Sequence, residues 1–145
     1  MRGFFHGVKY AVWLAKEIFV AGFDAVAKAF NPAAKFDPIV IYYPLRVNTD
    51  WDVFWFSTSI TATPGTLSMG LRHPVTPGGP ITLLVQAAFG SDPEDVIAGL
   101  ADMEEHLRPS LSKRPIDPKT VAWEPYVDHG PDTNGDNVPP AERMD

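Results

Sequence analysis

The chain contains no cysteine. That excludes disulfide bridges, thiolate zinc sites and cysteine nucleophiles, and leaves the redox compartment open. A surplus of positive charge is missing too. The formal charge is −6: the basic residues of the first segment (Arg2, Lys9, Lys16, Lys28) are outweighed by an acidic end with Asp128, Asp132, Asp136, Glu142 and Asp145. A general nucleic-acid binder concentrates cations on one face, and this pattern argues against one. Long apolar runs are absent where they would matter most. Within residues 4–30 the longest charge-free runs include Tyr10–Ala15 and Ile18–Phe23, far short of the roughly 18–20 apolar residues of a lipid-facing span.

Catalytic signatures are also lacking. His6, His73, His106 and His129 share no ligand spacing, and Glu104-Glu105-His106 is not the HExxH of a zinc hydrolase. Gly65, Gly78 and Gly79 make neither a P-loop nor a dinucleotide fingerprint. Asp132, Asn134 and Asp136 begin like a calcium loop, but Asn137 stands where glycine is needed and Arg143 where the closing glutamate belongs. The expectation is therefore no catalytic, cofactor-binding or metal-ligating residue, and no cofactor.

What is present is an α+β pattern in three parts. Hydrophobic residues make up 45% of the 145, enough for one compact domain, and they crowd into the first 90 positions. Residues 1–31 read as a long apolar, amphipathic, membrane-associated helix. Its polar residues His6, Lys9, Lys16, Glu17, Asp24 and Lys28 fall within an arc of roughly 120° at about 100° per residue. At about 1.5 Å per residue the helix is about 40 Å long. Three arrangements suit it: flat in the bilayer interface, crossing with its polar stripe against other helices, or packed on a soluble core. Charges interrupt any signal-peptide core. Asn31-Pro32 ends the helix.

Residues 32–109 read as a small βαββα domain. Residues 39–45 (IVIYYPL) form a strand with Pro44 at its end or at a sheet edge. Residues 48–72 read as a helix, a turn and a strand. Thr49 is the N-cap, with Asp50 and Asp52 in the first turn. Trp51, Phe54, Trp55 and Thr58 share one side, the expected buried face. Pro64-Gly65 makes the turn, and Leu67, Met69 and Leu71 alternate as a half-buried strand. Ile81–Phe89 should pair with that strand as an antiparallel hairpin. Ser91 is the expected cap of a last helix that buries Val96, Ile97, Leu100, Met103, Glu104 and Leu107 and leaves Asp95, Asp102, Glu105 and Arg108 in solvent. Residues 110–145 read as a Pro-rich acidic tail, largely disordered, with a docking segment around Trp123 and Tyr126.

The run Ser59-Ile60-Thr61-Ala62-Thr63-Pro64-Gly65-Thr66-Leu67 resembles the ITLTPGTL signature of the E-type subunit of the Mrp/Mnh-type multisubunit Na+/H+ antiporters. Leu14-Ala15-Lys16-Glu17-Ile18 is similar to that family's LxKEL helix, and Phe30-Asn31-Pro32 to its helix end. The likeness covers roughly residues 5–108. Members usually open with one or two very apolar helices, so the chain reads either as a short variant without them or as one whose start is placed downstream of the true one; Gln86-Ala87-Ala88 stands where the family commonly has a histidine. The resemblance implies an accessory, non-catalytic subunit supporting Na+(K+)/H+ exchange across the plasma membrane, with other antiporter subunits and lipid as partners, no nucleic acid, and the small domain cytoplasmic. Thr61, Thr63, Pro64, Gly65, Thr66 and Leu67 would form a structural corner that marks the family, and Lys16 and Glu17 would contact a partner subunit. The alternative reading is a peripheral membrane protein whose interfacial helix anchors a small partner- or ligand-binding domain.

Overall fold

The computed structural model describes residues 2–30, 37–74 and 78–127. Helix α1 (Arg2–Phe30) is followed by strand β1 (Ile39–Pro44), helix α2 (Asp50–Ala62), strands β2 (Thr66–Arg72) and β3 (Thr82–Ala87), and helix α3 (Pro93–Leu107). Two 3-10 turns, Pro109–Lys113 and Pro118–Thr120, lead to strand β4 (Trp123–Pro125). The strands form one antiparallel sheet in the order β2-β3-β1-β4. The class is α+β, and the expected hairpin is there as β2 and β3. Asn31-Pro32 and the acidic run from 128 lie outside the described residues.

Local chemistry sets the boundaries. Thr49 caps α2 by accepting from the Asp52 N–H at 3.2 Å. At α3 the cap is Asp92, whose carboxylate accepts from the Asp95 N–H, while the expected Ser91 donates to Asp37 instead. Pro44 closes β1 beyond the reach of β4, which pairs only with Ile39–Ile41, so its missing N–H is not called on.

Ile41, Tyr43, Leu83 and Val85 of the sheet meet Phe56 and Ile60 of α2 and Ile97, Leu100 and Met103 of α3. Each such side chain stabilises the fold by about 1.5–3 kcal/mol through burial. One charge sits among them. The Glu104 carboxylate is fully buried. Its Oε2 accepts from Arg46 Nε at 2.6 Å and Tyr43 OH at 2.9 Å; its Oε1 accepts from the backbone N–H groups of Arg46 and Val47 at 2.8 and 3.0 Å. Four donors fill the four lone-pair positions. Arg46 also donates to Glu105 and to the carbonyls of Ala101 and Arg114. Desolvation and the Glu104 charge keep the Tyr43 phenol protonated far above the usual range.

Helix α2 faces the opposite way from the expectation. Its buried residues are Asp52, Phe56, Ser59 and Ile60, while Trp51, Phe54 and Trp55 are exposed. Apolar residues ring this helix with almost no preferred side, so long-range partners choose its face. Arg108 Nη2 and Nε reach Asp52 at 2.7 and 2.9 Å. Burial pushes the Asp52 carboxyl up, but hydrogen bonds to Arg108 and Thr49 and the Arg108 charge outweigh it and hold the group below the ordinary carboxylate range. Arg108 and Glu105, expected in solvent, are thus both engaged.

Three further expectations change. Leu67, Met69 and Leu71 are all exposed rather than one half-buried row. A bulge between Ser68 and Gly70 shifts the alternation by one residue: Thr66 and Ser68 oppose Ala87 and Val85, then Leu71 opposes Leu83. Residues 110–127, expected within the disordered tail, are tied to the domain. Pro109 and Pro118 start 3-10 turns, Leu111 and Val121 are buried in the core, and β4 bonds β1 near Trp123. Helix α1 has the expected length, but among the described residues no helix is long and apolar enough to cross a membrane. Lys9, Lys16, Glu17 and Asp24 break its apolar surface, so the membrane-helix expectation reduces here to a long amphipathic helix.

These ion pairs set two expectations for stability. Glu104→Ala strands Arg46 and Tyr43 in the interior and should cost about 3–5 kcal/mol in urea denaturation; a loss below about 1 kcal/mol would show the pair to be dispensable. Asp52, depressed in the fold against about 3.9 unfolded, stabilises fully above that value and loses its effect as pH falls through the folded value. Asp52→Asn should therefore be less stable than wild type at pH 7, with the gap closing in acid.

Candidate functional site

The corner after α2 and the seam where α1 docks meet at one cleft. Thr63 and Thr66 hydroxyls lie 2.8 Å apart, and each is 2.7 Å from the Ile60 carbonyl oxygen. The two hydroxyl protons can both go to that carbonyl, satisfying a group the helix end would leave orphaned. The Thr63 N–H adds bonds to the carbonyls of Ser59 and Ile60. Thr61 donates to the Ser57 carbonyl and accepts from the Ser68 N–H, while the Ser57 and Ser68 hydroxyls bond at 2.8 Å. Helix and strand are thereby locked at a fixed angle.

Gly65 sits at φ +91°, in the left-handed region, and a Cβ there would stand 3.2 Å from the Phe89 ring. Its carbonyl accepts from the Ala88 N–H at 2.8 Å, joining the corner to the far end of β3. Pro64 faces α1: a Cβ on Gly22 would lie 3.9 Å from Pro64 Cγ. Leu67 points away from the corner, opposite Gln86.

Helix α1 docks through Tyr10 and Trp13. Ser59 donates its proton to the Trp55 carbonyl, so the bond of 2.8 Å between the Tyr10 and Ser59 hydroxyls is donated by Tyr10. Burial raises the Tyr10 phenol despite the opposing effect of Ser59, which suits a permanent donor. Trp13 stacks on the His106 ring of α3, with centroids 4.0 Å apart and planes within 8°. His106 Nδ1 lies 2.9 Å from the Asp102 carbonyl oxygen.

Beyond these anchors, α1 and the domain bound a cleft of about 270 Å³ lined by Glu17 and Asp24, by Thr63–Thr66, and by Asp95 and Asp102. The structure brings Glu17 to the corner and leaves Lys16 outside it. The Lys16 side chain is 70% exposed, 3.7 Å from Glu17. Among the described residues no histidine lines the cleft, and no group of three His, Asp or Glu is placed to hold a metal. The arrangement caps, orients and docks; its hydroxyls bond one another and the backbone. The anchors Tyr10, Trp13, Ser59 and His106 were not foreseen from the sequence. Their signal was the seam Tyr10, Leu14, Glu17, Ala21 and Asp24, spaced by three or four, diametrically across α1 from the phenylalanines.

Residues 1–108, which hold the docked helix, the corner, the hairpin and α3, match the family described as Na+/H+ ion antiporter subunit (MNHE). An E-type Na+/H+ antiporter subunit of Alkalihalophilus pseudofirmus is 30% identical over 69 residues, covering 48% of this chain and 44% of that protein. The chain thus spans under half the length of that curated relative. Among solved structures, a chain from the structure of the Mrp complex of Dietzia sp. DQ12-45-1b superposes with a TM-score of 0.56 at 30% identity. That alignment covers 72% of this chain and 94% of the other. The chain belongs to the Na+/H+ ion antiporter subunit family.

Proposed function

We propose that the chain is an accessory, non-catalytic subunit of a membrane-bound multisubunit antiporter that exchanges Na+ or K+ for H+. Its partners are the other antiporter subunits. The observation that carries this reading is the superposition on a chain of the Mrp complex at 30% identity, which covers nearly all of that chain. The accessory role is supported by the corner, whose threonine hydroxyls bond to one another and to backbone. The corner Thr61–Leu67 then serves as a rigid joint that presents α1 at a fixed angle. Helix α1 takes the place of the membrane-associated element, and the domain lies on the cytoplasmic side, consistent with the lysines of α1.

Lys16 and Glu17 divide the contact. Glu17 faces the cleft, and the exposed Lys16 reaches outward to an acidic group of a neighbouring subunit. The test is affinity purification of the tagged chain from cells expressing the whole antiporter operon. The other subunits should co-purify in detergent; a chain recovered alone would overturn the reading. Lys16→Glu should lower co-purification by about tenfold, the scale of a close interfacial charge pair. Because the side chain is exposed, the melting temperature should stay unchanged. Undiminished recovery would remove Lys16 from the interface.

A further inference from the structure

Helix α2 and strand β2 enclose an apolar groove that the domain itself leaves open. Phe54 of α2 is 53% exposed, and Met69 and Leu71 of β2 are 45% and 49% exposed. These three side chains wall a groove of about 540 Å³ whose floor includes Val53, Ile81 and Leu83. Among the described residues none of α1 lines it. At the end near the corner stand the Ser57 and Ser68 hydroxyls, bonded at 2.8 Å; at the other stand Asn48 and Asp50. From Asp50 to Ser57 the groove follows α2 for about 10 Å, taking about 1.5 Å per residue.

The bulge in β2 gives the groove its shape. With unbroken alternation Leu67, Met69 and Leu71 would share one face. The extra residue between Ser68 and Gly70 instead brings Met69 and Leu71 to the groove while Leu67 stays outside it, opposite Gln86. Gly70, between the two, leaves a notch: a Cβ there would meet nothing within 4 Å. The far wall is stiff, because Phe54 is held by Trp51 and Trp55 with ring centroids 5.8 and 5.5 Å away. Single apolar residues on a surface are ordinary; a phenylalanine and a methionine converging on one notched groove have the composition of an interface centre.

We propose that this groove receives an amphipathic helix of another antiporter subunit, with two apolar side chains one turn apart seated between Phe54 and Met69–Leu71 and a lysine or arginine against Asp50. Length selects the anchors: about 10 Å accommodates two side chains at i and i+4, which stand about 5–6 Å apart. Charge selects their neighbour. Among the described residues lining the groove the one charged group is Asp50, which is exposed at its open end. A carboxylate there attracts a cation and repels the anionic head groups that a lipid would bring. An added β-strand fits poorly, since the bulge interrupts the edge of β2 and the Ser68 N–H is already taken by Thr61 of α2. The inference rests on the complex proposed above but names a surface separate from Lys16, so the two contacts can fail separately.

The experiment introduces Phe54→p-benzoylphenylalanine into the full chain, co-expresses it with the whole antiporter operon, and irradiates the purified complex. Mass spectrometry should map the adduct to a helical segment of another subunit that carries a lysine or arginine. Asp50→Lys should lower the adduct yield by about tenfold, the scale of a close interfacial charge pair. Asp50→Asn, which keeps a polar residue at the start of α2, should lower it less. Met69→Asp/Leu71→Asp should abolish it, and because these side chains are exposed the circular dichroism spectrum should stay unchanged. An intact complex without an adduct, an adduct only on lipid or on a second copy of this chain, or a yield that Asp50→Lys leaves unchanged overturns the proposal while the subunit reading stands. A chain recovered alone overturns both.

Discussion

The Glu104 carboxylate holds the domain's layers together. It sits on α3, yet its four donors come from the end of β1 and the link to α2. A buried carboxylate without partners would cost several kcal/mol, so α3 fits only where Arg46, Tyr43 and the two N–H groups converge. An apolar residue of similar volume would fill the same space, but it would tolerate sliding of α3 along the sheet. The ion pair does not. Arg46 extends the constraint to the C-terminal segment by donating to the Arg114 carbonyl, where the chain turns back towards β4.

Much of the architecture was legible in residue pattern. Alternation and turn chemistry located β1, the hairpin and α3, because each has one apolar side and a clear terminator. Glu104 was even placed on the buried face of α3. Its partner was not: Arg46 is one charge in a loop, and nothing local announces that it reaches 58 residues ahead. A carboxylate on an apolar helical face was itself the signal, since such a group is tolerated only with a cation close by. The orientation of α2 failed for a related reason. With apolar residues on every side, periodicity could not choose between the aromatic face and the face holding Asp52 and Ser59. Arg108 and Tyr10 chose the second by satisfying its polar groups.

Only the prolines misled. The prolines after α3 suggested loss of structure, but Pro109 and Pro118 stand where the first turn of a 3-10 helix needs no N–H. The threonines of the corner were read as structural, and two of their hydroxyls, on Thr63 and Thr66, are engaged by the Ile60 carbonyl. A sharp helix-to-strand reversal leaves several carbonyls without partners in a confined space. Hydroxyls on short side chains meet that need, and a glycine at positive φ lets the backbone close.

Polar satisfaction inside the domain also explains why the outward aromatics are free to face elsewhere. Sheet, α2 and α3 already close a core whose buried side-chain nitrogens and oxygens all have partners among the described residues. Folding therefore does not require Trp51, Phe54, Phe19 or Phe23, and in water alone they would be a liability for solubility. Helix α1 shows the inversion most clearly. It turns Tyr10, Trp13, Glu17 and Ala21 to the domain and its phenylalanines to the surroundings, the reverse of how a helix serving only a soluble core would sit. An amphipathic helix orients its apolar side toward whichever neighbour offers the larger gain in burial. Here Phe19, Phe23 and Phe30 stay exposed while Tyr10 and Trp13 hold the helix on the domain.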